Sequence, residues 1–244
     1  MAITWQLATV AALHDETPRV KTISLCVPGW TGHRPGQHVD IRLTAQDGYQ
    51  AERSYSIASA PTDQPHIELT VERVKDGEVS PFLIDEVMLG DRFEVRGPIG
   101  GYFVWDAAAA DPLLLIGGGS GVVPLMAMIR QRARASSGTP CTLLYSSRTP
   151  DDIIYATELE QLAARNDGVR VVYTYTRAQP PGWTGYARRL DEAMIGEVLG
   201  RTGRMVQAFV CGPTPLVEAA AEALVGQGLA PSQVKTERFG PSGG

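Results

Sequence analysis

The chain has 244 residues and a net charge of −5, with 43% hydrophobic and 20% charged residues. These are globular proportions, enough for one large domain or two of roughly 100–150 residues without disulfide staples. Its 26 glycines and 17 prolines fall short of a collagen or low-complexity composition, and mild acidity without a long basic run excludes a general nucleic-acid or polyanion binder.

In chain order, residues 1–106 read as short strands divided by turn chemistry: Thr4–Val10, Val20–Val27, His38–Leu43, Arg53–Ser59, His66–Arg73 and Arg92–Val95. Apolar residues alternate at Val39, Ile41 and Leu43 and again at Ile67, Leu69 and Val71, the period of a half-buried strand. Turn clusters at Pro28–Gly36, Gln46–Gly48 and Ala60–Pro65 separate them. Strands at this spacing predict a small barrel or sandwich. One short helix interrupts them, with Ser80 as its N-cap, Pro81 at its first position, and Phe82, Leu83 and Val87 on its apolar face.

From Asp111 the pattern changes to strands alternating with helices. Strands are expected at Leu113–Ile116, Thr142–Tyr145, Val169–Tyr175 and Val206–Val210, and helices at Val122–Ala135, Ala156–Ala164, Leu190–Val198 and Pro215–Val225. This order predicts an α/β unit with a parallel sheet covered by helices. Two domains, 1–106 and 111–244, are therefore expected, with the alanine run 107–110 as linker.

Between Pro112 and Ile129 lie 18 uncharged residues, the lower edge of a membrane span. Four glycines, a serine and a second proline break the stretch, so it reads as strand, turn and helix, with no membrane partner. The N-terminus has neither a basic region nor a clear cleavage site, which predicts no secretion. Cys26, Cys141 and Cys211 are far apart and lack C-x-x-C spacing, and His14, His33, His38 and His66 form no i, i+4 pair. Neither an iron–sulfur cluster, a disulfide framework nor a structural zinc is expected, and a reducing cytoplasm follows.

Gly117-Gly118-Gly119-Ser120-Gly121 ends a buried strand and opens a helix, where freed amides and the helix terminus attract a phosphate. Pro124 stands where the last glycine of the strict G-x-G-x-x-G would be, so a purely structural turn is the alternative. Ordinary NAD binders place an acidic residue after the second strand. Here Ser147 and Arg148 stand there, Arg177 follows the next strand, and Arg188 and Arg189 come soon after, a set suited to the 2′-phosphate of NADPH. In the first half, Arg53-Ser54-Tyr55-Ser56 and Gly77-Glu78-Val79-Ser80-Pro81 have the parts of a second anion site, with Tyr55 able to face a planar cofactor. An ordinary barrel strand with a buried tyrosine is the alternative.

Arg53-Ser54-Tyr55-Ser56 resembles the R-x-Y-S flavin signature of the ferredoxin–NADP reductase superfamily, and Gly77–Ser80 its flavin-pyrophosphate loop. Gly97-Pro98-Ile99-Gly100-Gly101-Tyr102 resembles the G-P-x-G-x-F that closes the flavin domain, with Tyr for Phe. Gly117–Pro124 resembles the nicotinamide-nucleotide loop, Cys211-Gly212-Pro213 the late C-G-x motif, and Glu237-Arg238-Phe239 the terminal E-x-aromatic. Six motifs in family order span nearly the whole chain.

The resemblance implies an antiparallel β-barrel holding FAD and an α/β domain holding NADPH or NADH. Carried over residue by residue, Arg53 pairs with the flavin pyrophosphate, Tyr55 stacks on the isoalloxazine and Ser56 bonds near N5. Ser54, the backbone at Thr70, Val71 and Glu72, and Gly77, Glu78, Val79 and Ser80 line the rest. Gly118, Gly119, Ser120, Gly121, Gly212 and Pro213 line the nucleotide. Ser56, Cys211, Glu237 and Phe239 form the catalytic set: Cys211 lies beside the nicotinamide, Glu237 is its proton or polarity partner, and Phe239 covers the flavin face. Residues Gly240–Gly244 follow Phe239 and either swing aside or fold back over the flavin. In relatives an E-R-F-G-P segment leads into a plant-type iron–sulfur domain; no cysteine ligands for one are present here, so the expected acceptor is a separate ferredoxin or oxygenase component. The alternatives are an NAD(P)H:flavin reductase and a flavin electron-transfer subunit without nicotinamide turnover.

Overall fold

The computed structural model describes residues 4–62, 64–109 and 111–239. It divides into two compact units, one of residues up to Asp106 with Met126–Gln131 and one of Ala107–Leu125 with residues from Arg132 onward. Ala110 of the expected linker and the tail 240–244 lie outside the described residues.

The first unit has six antiparallel strands, β1 (Trp5–Thr17), β2 (Val20–Cys26), β3 (His38–Thr44), β4 (Gln50–Ser56), β5 (His66–Glu72) and β6 (Arg92–Ile99), in the order β4-β3-β6-β1-β2-β5. The two outer strands meet through an Ile57–Leu69 bridge and a bond from Ala58 N to Glu68 O at 2.7 Å, which closes the sheet into a barrel. Val39, Ile41, Ile67, Leu69 and Val71 are all buried, so the alternation that predicted the strands also fills the barrel. On the outer wall Trp5 lies between two guanidiniums, Arg42 at 4.2 Å and Arg96 at 4.6 Å from its ring centre, each held by a carboxylate of a neighbouring strand.

Several strand ends differ from expectation, and β4 stops at Ser56 rather than Ser59. β1 continues seven residues past Val10 because its exposed second half pairs with β2 down to Thr17–Val20, a stabilisation that leaves no hydrophobic period. β4 begins at Gln50 rather than Arg53, since the polar residues Gln50 and Glu52 pair with Thr44 and Arg42. β6 runs on to Ile99 along β3. The short helix α1 spans Val79–Asp85, and Ser80 does not cap it. Glu78 occupies the N-cap, which puts Ser80 and Pro81 within the first turn of the helix, and Ser80 Oγ instead accepts the Val74 N–H at 3.0 Å.

The second unit is a parallel sheet of β7 (Leu113–Gly118), β8 (Cys141–Ser147), β9 (Val169–Tyr175), β10 (Gln207–Pro213) and β11 (Val234–Phe239), in the order β11-β10-β7-β8-β9. Helices α2 (Val122–Arg134), α3 (Ala156–Ala164), α4 (Glu192–Thr202) and α5 (Thr214–Gly226) connect or follow them. On one face Leu114, Ile116, Leu144, Ala208 and Val210 pack with Met194, Ile195 and Val198 of α4 and Val217, Ala220 and Leu224 of α5. Asp191, not Leu190, starts α4: its carboxylate accepts the Met194 N–H at 2.8 Å. Thr214 opens α5 without a side-chain cap, because Pro213 holds the N-cap position. β11 is absent from the expected strands; Val234 is its one fully buried residue, so it has no burial period to read. The chain order reverses direction between β7 and β10, and sheets of this kind bind ligands beyond the strand ends at that reversal.

Candidate functional sites of the barrel and the parallel sheet

In the barrel unit, β4 turns Arg53 and Tyr55 to one face and Ser54 and Ser56 to the other. Arg53 reaches the turn before α1, where its Nη2 lies 3.3 Å from Glu78 Oε2, and Tyr49 OH donates to Glu78 Oε1 at 2.8 Å. Two expected pyrophosphate residues, Arg53 and Glu78, are thus neighbours beside Gly77 and the start of α1. Both are exposed, and five guanidinium donors leave Arg53 able to take an anion as well. Tyr55 is half-buried against the barrel core, and burial raises its phenol pKa well above the ordinary range, so it stays neutral. Ser56 is 6% exposed and its Oγ is buried without a hydrogen-bond partner. Such an atom costs free energy until something bonds it.

Ser54 does not join this group through its side chain. Its hydroxyl donates to Asp40 Oδ1 at 2.6 Å, within the Asp40–Arg96 pair on the outer wall. Thr70 and Val71 are buried, Thr70 sharing a bond with Thr22 Oγ1 at 2.8 Å, so they offer backbone rather than side chain. Beyond the Ile57–Leu69 bridge, no described strand pairs with the outer edge of β5. Val79 is buried inside α1. His38 was not among the expected residues. It stands directly opposite Ser56 in the β3–β4 register, half-buried, with its pKa lowered by burial.

In the sheet unit, register alone assembles the second group. Cys211 on β10 pairs with Gly117 on β7 and with Glu237 on β11. The Cys211 thiol is fully buried, and burial, with Glu237 beside it, pushes its pKa well up, so it is a neutral thiol. Burial raises Glu237 from 4.5 to about 7, and its Oε2 is buried without a partner. Phe239 pairs with Pro213 one step beyond the Glu237–Arg238 pairings, half-buried at the end of β11.

Beside them, Gly119–Gly121 forms one tight turn before α2. A Cβ on Gly121 would lie 2.2 Å from Cys211 O, so this glycine lets the start of α2 press against the end of β10. The β7 end and the Cys211-Gly212-Pro213 end are therefore neighbours. Ser120 and Gly119 are partly open to solvent, whereas Gly118 is buried under Leu216. Arg177 N donates to Arg148 O at 2.9 Å, which brings the ends of β8 and β9 together, and both arginine side chains are exposed. Ser147 is buried with its hydroxyl on Thr149 O at 3.1 Å, so it is not presented beside Arg148. Arg188 is exposed but paired with Asp191, while Thr174 Oγ1 holds its backbone carbonyl against β9. No group of acidic, histidine or cysteine side chains with metal-binding geometry occurs among the described residues, and no described helix is long and apolar enough to cross a membrane.

Residues 14–104 match the family model of an oxidoreductase FAD-binding domain, and residues 115–222 that of an oxidoreductase NAD-binding domain. The fold also matches a ferredoxin NADP+ reductase from Neisseria gonorrhoeae, with a TM-score of 0.80 at 20% identity over 97% of this chain and 99% of that one. The chain belongs to the ferredoxin–NADP reductase superfamily. Among its relatives, the glycine betaine monooxygenase reductase subunit of Chromohalobacter salexigens is 35% identical over 209 residues, 85% of this chain and 56% of that protein. The reductase component of phenol 2-monooxygenase from a Pseudomonas species is 30% identical over 231 residues, 94% of this chain and 64% of that protein. The chain thus spans a little over half the length of the first and under two thirds of the second. The antiparallel barrel precedes the parallel sheet, the order in which the FAD-binding and NAD-binding models match.

Proposed function

We propose that this superfamily member takes hydride from NADPH, or NADH, onto bound FAD and passes the electrons singly to a separate oxygenase component or ferredoxin. The observation that carries this reading is a pair of buried polar atoms without partners. Ser56 Oγ stands on β4, on the opposite face from its neighbour Tyr55, and Glu237 Oε2 on β11, whose Glu237 pairs with Cys211. A hydrogen-bonding edge of a bound flavin or nicotinamide would satisfy each of them. FAD, when bound, supplies the conversion of one two-electron hydride into two single-electron transfers.

The residues present fit both groups. Arg53, with the amides of Gly77–Ser80, would hold a pyrophosphate, and the neutral Tyr55 ring would lie against the isoalloxazine. Ser56 Oγ would bond at N5. Gly119–Gly121 would take the nucleotide pyrophosphate, and Arg148 and Arg177 a 2′-phosphate. Neutral Cys211 would admit the nicotinamide closely, and Glu237, poised near neutrality, would hold a proton there. Positioning is most of what a protein adds to hydride transfer. The monooxygenase partners named for both relatives support an oxygenase component as acceptor, and three free cysteines suit a cytoplasmic setting.

Anaerobic stopped-flow reduction of the FAD-loaded protein with each nucleotide tests the reading. NADPH should bleach the flavin in preference to NADH, and Arg148→Ala should abolish that preference. Equal use by the unaltered protein would remove the phosphate assignment, and no bleaching by either nucleotide would remove the reductase reading.

A further inference from the structure

Tyr145 lies on β8, directly beside Gly117 of β7 in register, and is 0% exposed. Its phenol stands between two segments of the proposed nucleotide site. It donates to Gly119 O at 3.2 Å and accepts the Ile154 N–H at 3.3 Å. Gly119 belongs to the turn before α2, and Ile154 ends the loop that begins at Arg148.

A trans peptide points its C=O and its N–H in opposite directions. Gly119 O is drawn inward by Tyr145 OH and also accepts the Val122 N–H. The Ser120 N–H therefore faces away from the interior, beyond the strand ends, where a phosphate would need a donor. Gly119 has φ +55, so on its side this peptide has the conformational freedom of glycine, and what its carbonyl bonds helps to set its orientation. A turned peptide would present the Gly119 carbonyl to the phosphate instead.

We infer that Tyr145 is a positioning residue: its hydroxyl holds the Gly119–Ser120 peptide in the anion-accepting orientation and ties that peptide to the loop bearing Arg148. This rests on the nucleotide-binding reading given above. It goes further by naming the group that sets the turn, and by predicting that the pyrophosphate turn and the Arg148 loop tighten together.

The test compares Tyr145→Phe with the unaltered FAD-loaded protein, because phenylalanine keeps the ring and its packing and removes only the hydroxyl. Equilibrium titration with NADP+ and NAD+, followed by calorimetry, gives the dissociation constants. Losing the hydroxyl, and with it the neutral hydrogen bond that orients the Gly119–Ser120 peptide, should weaken nucleotide binding about threefold to tenfold. The limiting rate of flavin reduction at saturating nucleotide should stay within about twofold, since the hydroxyl does not reach the reacting atoms. Dissociation constants equal to those of the unaltered protein would overturn the inference, as would a fall in the limiting rate with binding unchanged. If the unaltered protein itself binds neither nucleotide, the nucleotide-binding reading fails, and the two failures remain distinguishable.

Should Tyr145→Phe not fold, amide exchange on the unaltered protein decides. Nucleotide should slow exchange at Ser120 and at Ile154 by similar factors. Slowing at Ser120 with none at Ile154 would overturn the coupling.

Discussion

A buried hydroxyl or carboxyl oxygen with nothing to bond loses its water and gains no protein partner, a cost of about 1–3 kcal/mol. Ser56 Oγ and Glu237 Oε2 are two such atoms, and each makes a measurable difference. Ser56→Ala removes a hydroxyl that bonds nothing in the protein, so the flavin-free variant should be as stable as the parent or more stable by up to about 1 kcal/mol in denaturant melts. With FAD bound, and with Ser56 in the role proposed for it, the same change should slow hydride transfer about tenfold or more, the effect of losing a donor to developing charge. A stability loss in the flavin-free state would mean that Ser56 has a structural partner after all. Glu237 gives a pH signature. Its folded value of about 7 lies above the ordinary 4.5 because of burial. Between those two values the unfolded chain sheds its proton while the native one keeps it, so the native state binds more protons and stability falls as pH rises through that window, then levels above it. Glu237→Gln should flatten this slope in urea melts taken across the same range; an unchanged slope would assign the pH dependence to other groups.

At the scale of elements, the second candidate site is assembled by register. Parallel pairing places Gly117, Cys211 and Glu237 side by side on β7, β10 and β11, although 94 and 26 residues separate them along the chain. Motif spacing could name these residues, but only strand order makes them neighbours. The same holds for the turn before α2. Gly121→Ala would drive a methyl to within 2.2 Å of Cys211 O and 2.5 Å of its carbonyl carbon. Backbone cannot retreat as a flexible side chain does, so the variant should lose at least about 2 kcal/mol of stability. Gly138→Ala, with nothing within 4 Å, is the matched control and should be close to neutral. If both melt alike, the close approach of α2 to β10 is not what fixes Gly121.

For the whole molecule, the barrel core around Ile23, Ile41, Leu69 and Val95 and the sheet core around Ile116, Met194, Val210 and Val217 share no residue. Two cores of this kind should unfold as two calorimetric transitions in the flavin-free protein. FAD should raise the barrel transition and NADP+ the sheet transition, each by mass action on the unit that binds it. A single transition moved by both ligands would show one cooperative unit. Much of this division is legible in the sequence, because burial imposes a period: two along Ile67, Leu69 and Val71, and an unbroken apolar run along Leu113–Ile116 in a strand covered on both faces. The glycine turn and the R-x-Y-S and C-G-P motifs are legible too, since each requires particular residue types at fixed local spacing. The sequence by itself therefore determined the two kinds of unit and most of their elements, and it supplied the candidate site residues. Only the tertiary structure decided that β11 exists, that the Ser54 and Ser147 hydroxyls bond elsewhere than in the candidate sites, that Ser80 serves a turn rather than a helix cap, and that Tyr145 and His38 stand beside the candidate residues. These depend on which strand lies next to which and which way a side chain points after pairing. A half-exposed edge strand or a buried hydroxyl leaves no period in the chain, so its partner appears only once the sheets are assembled.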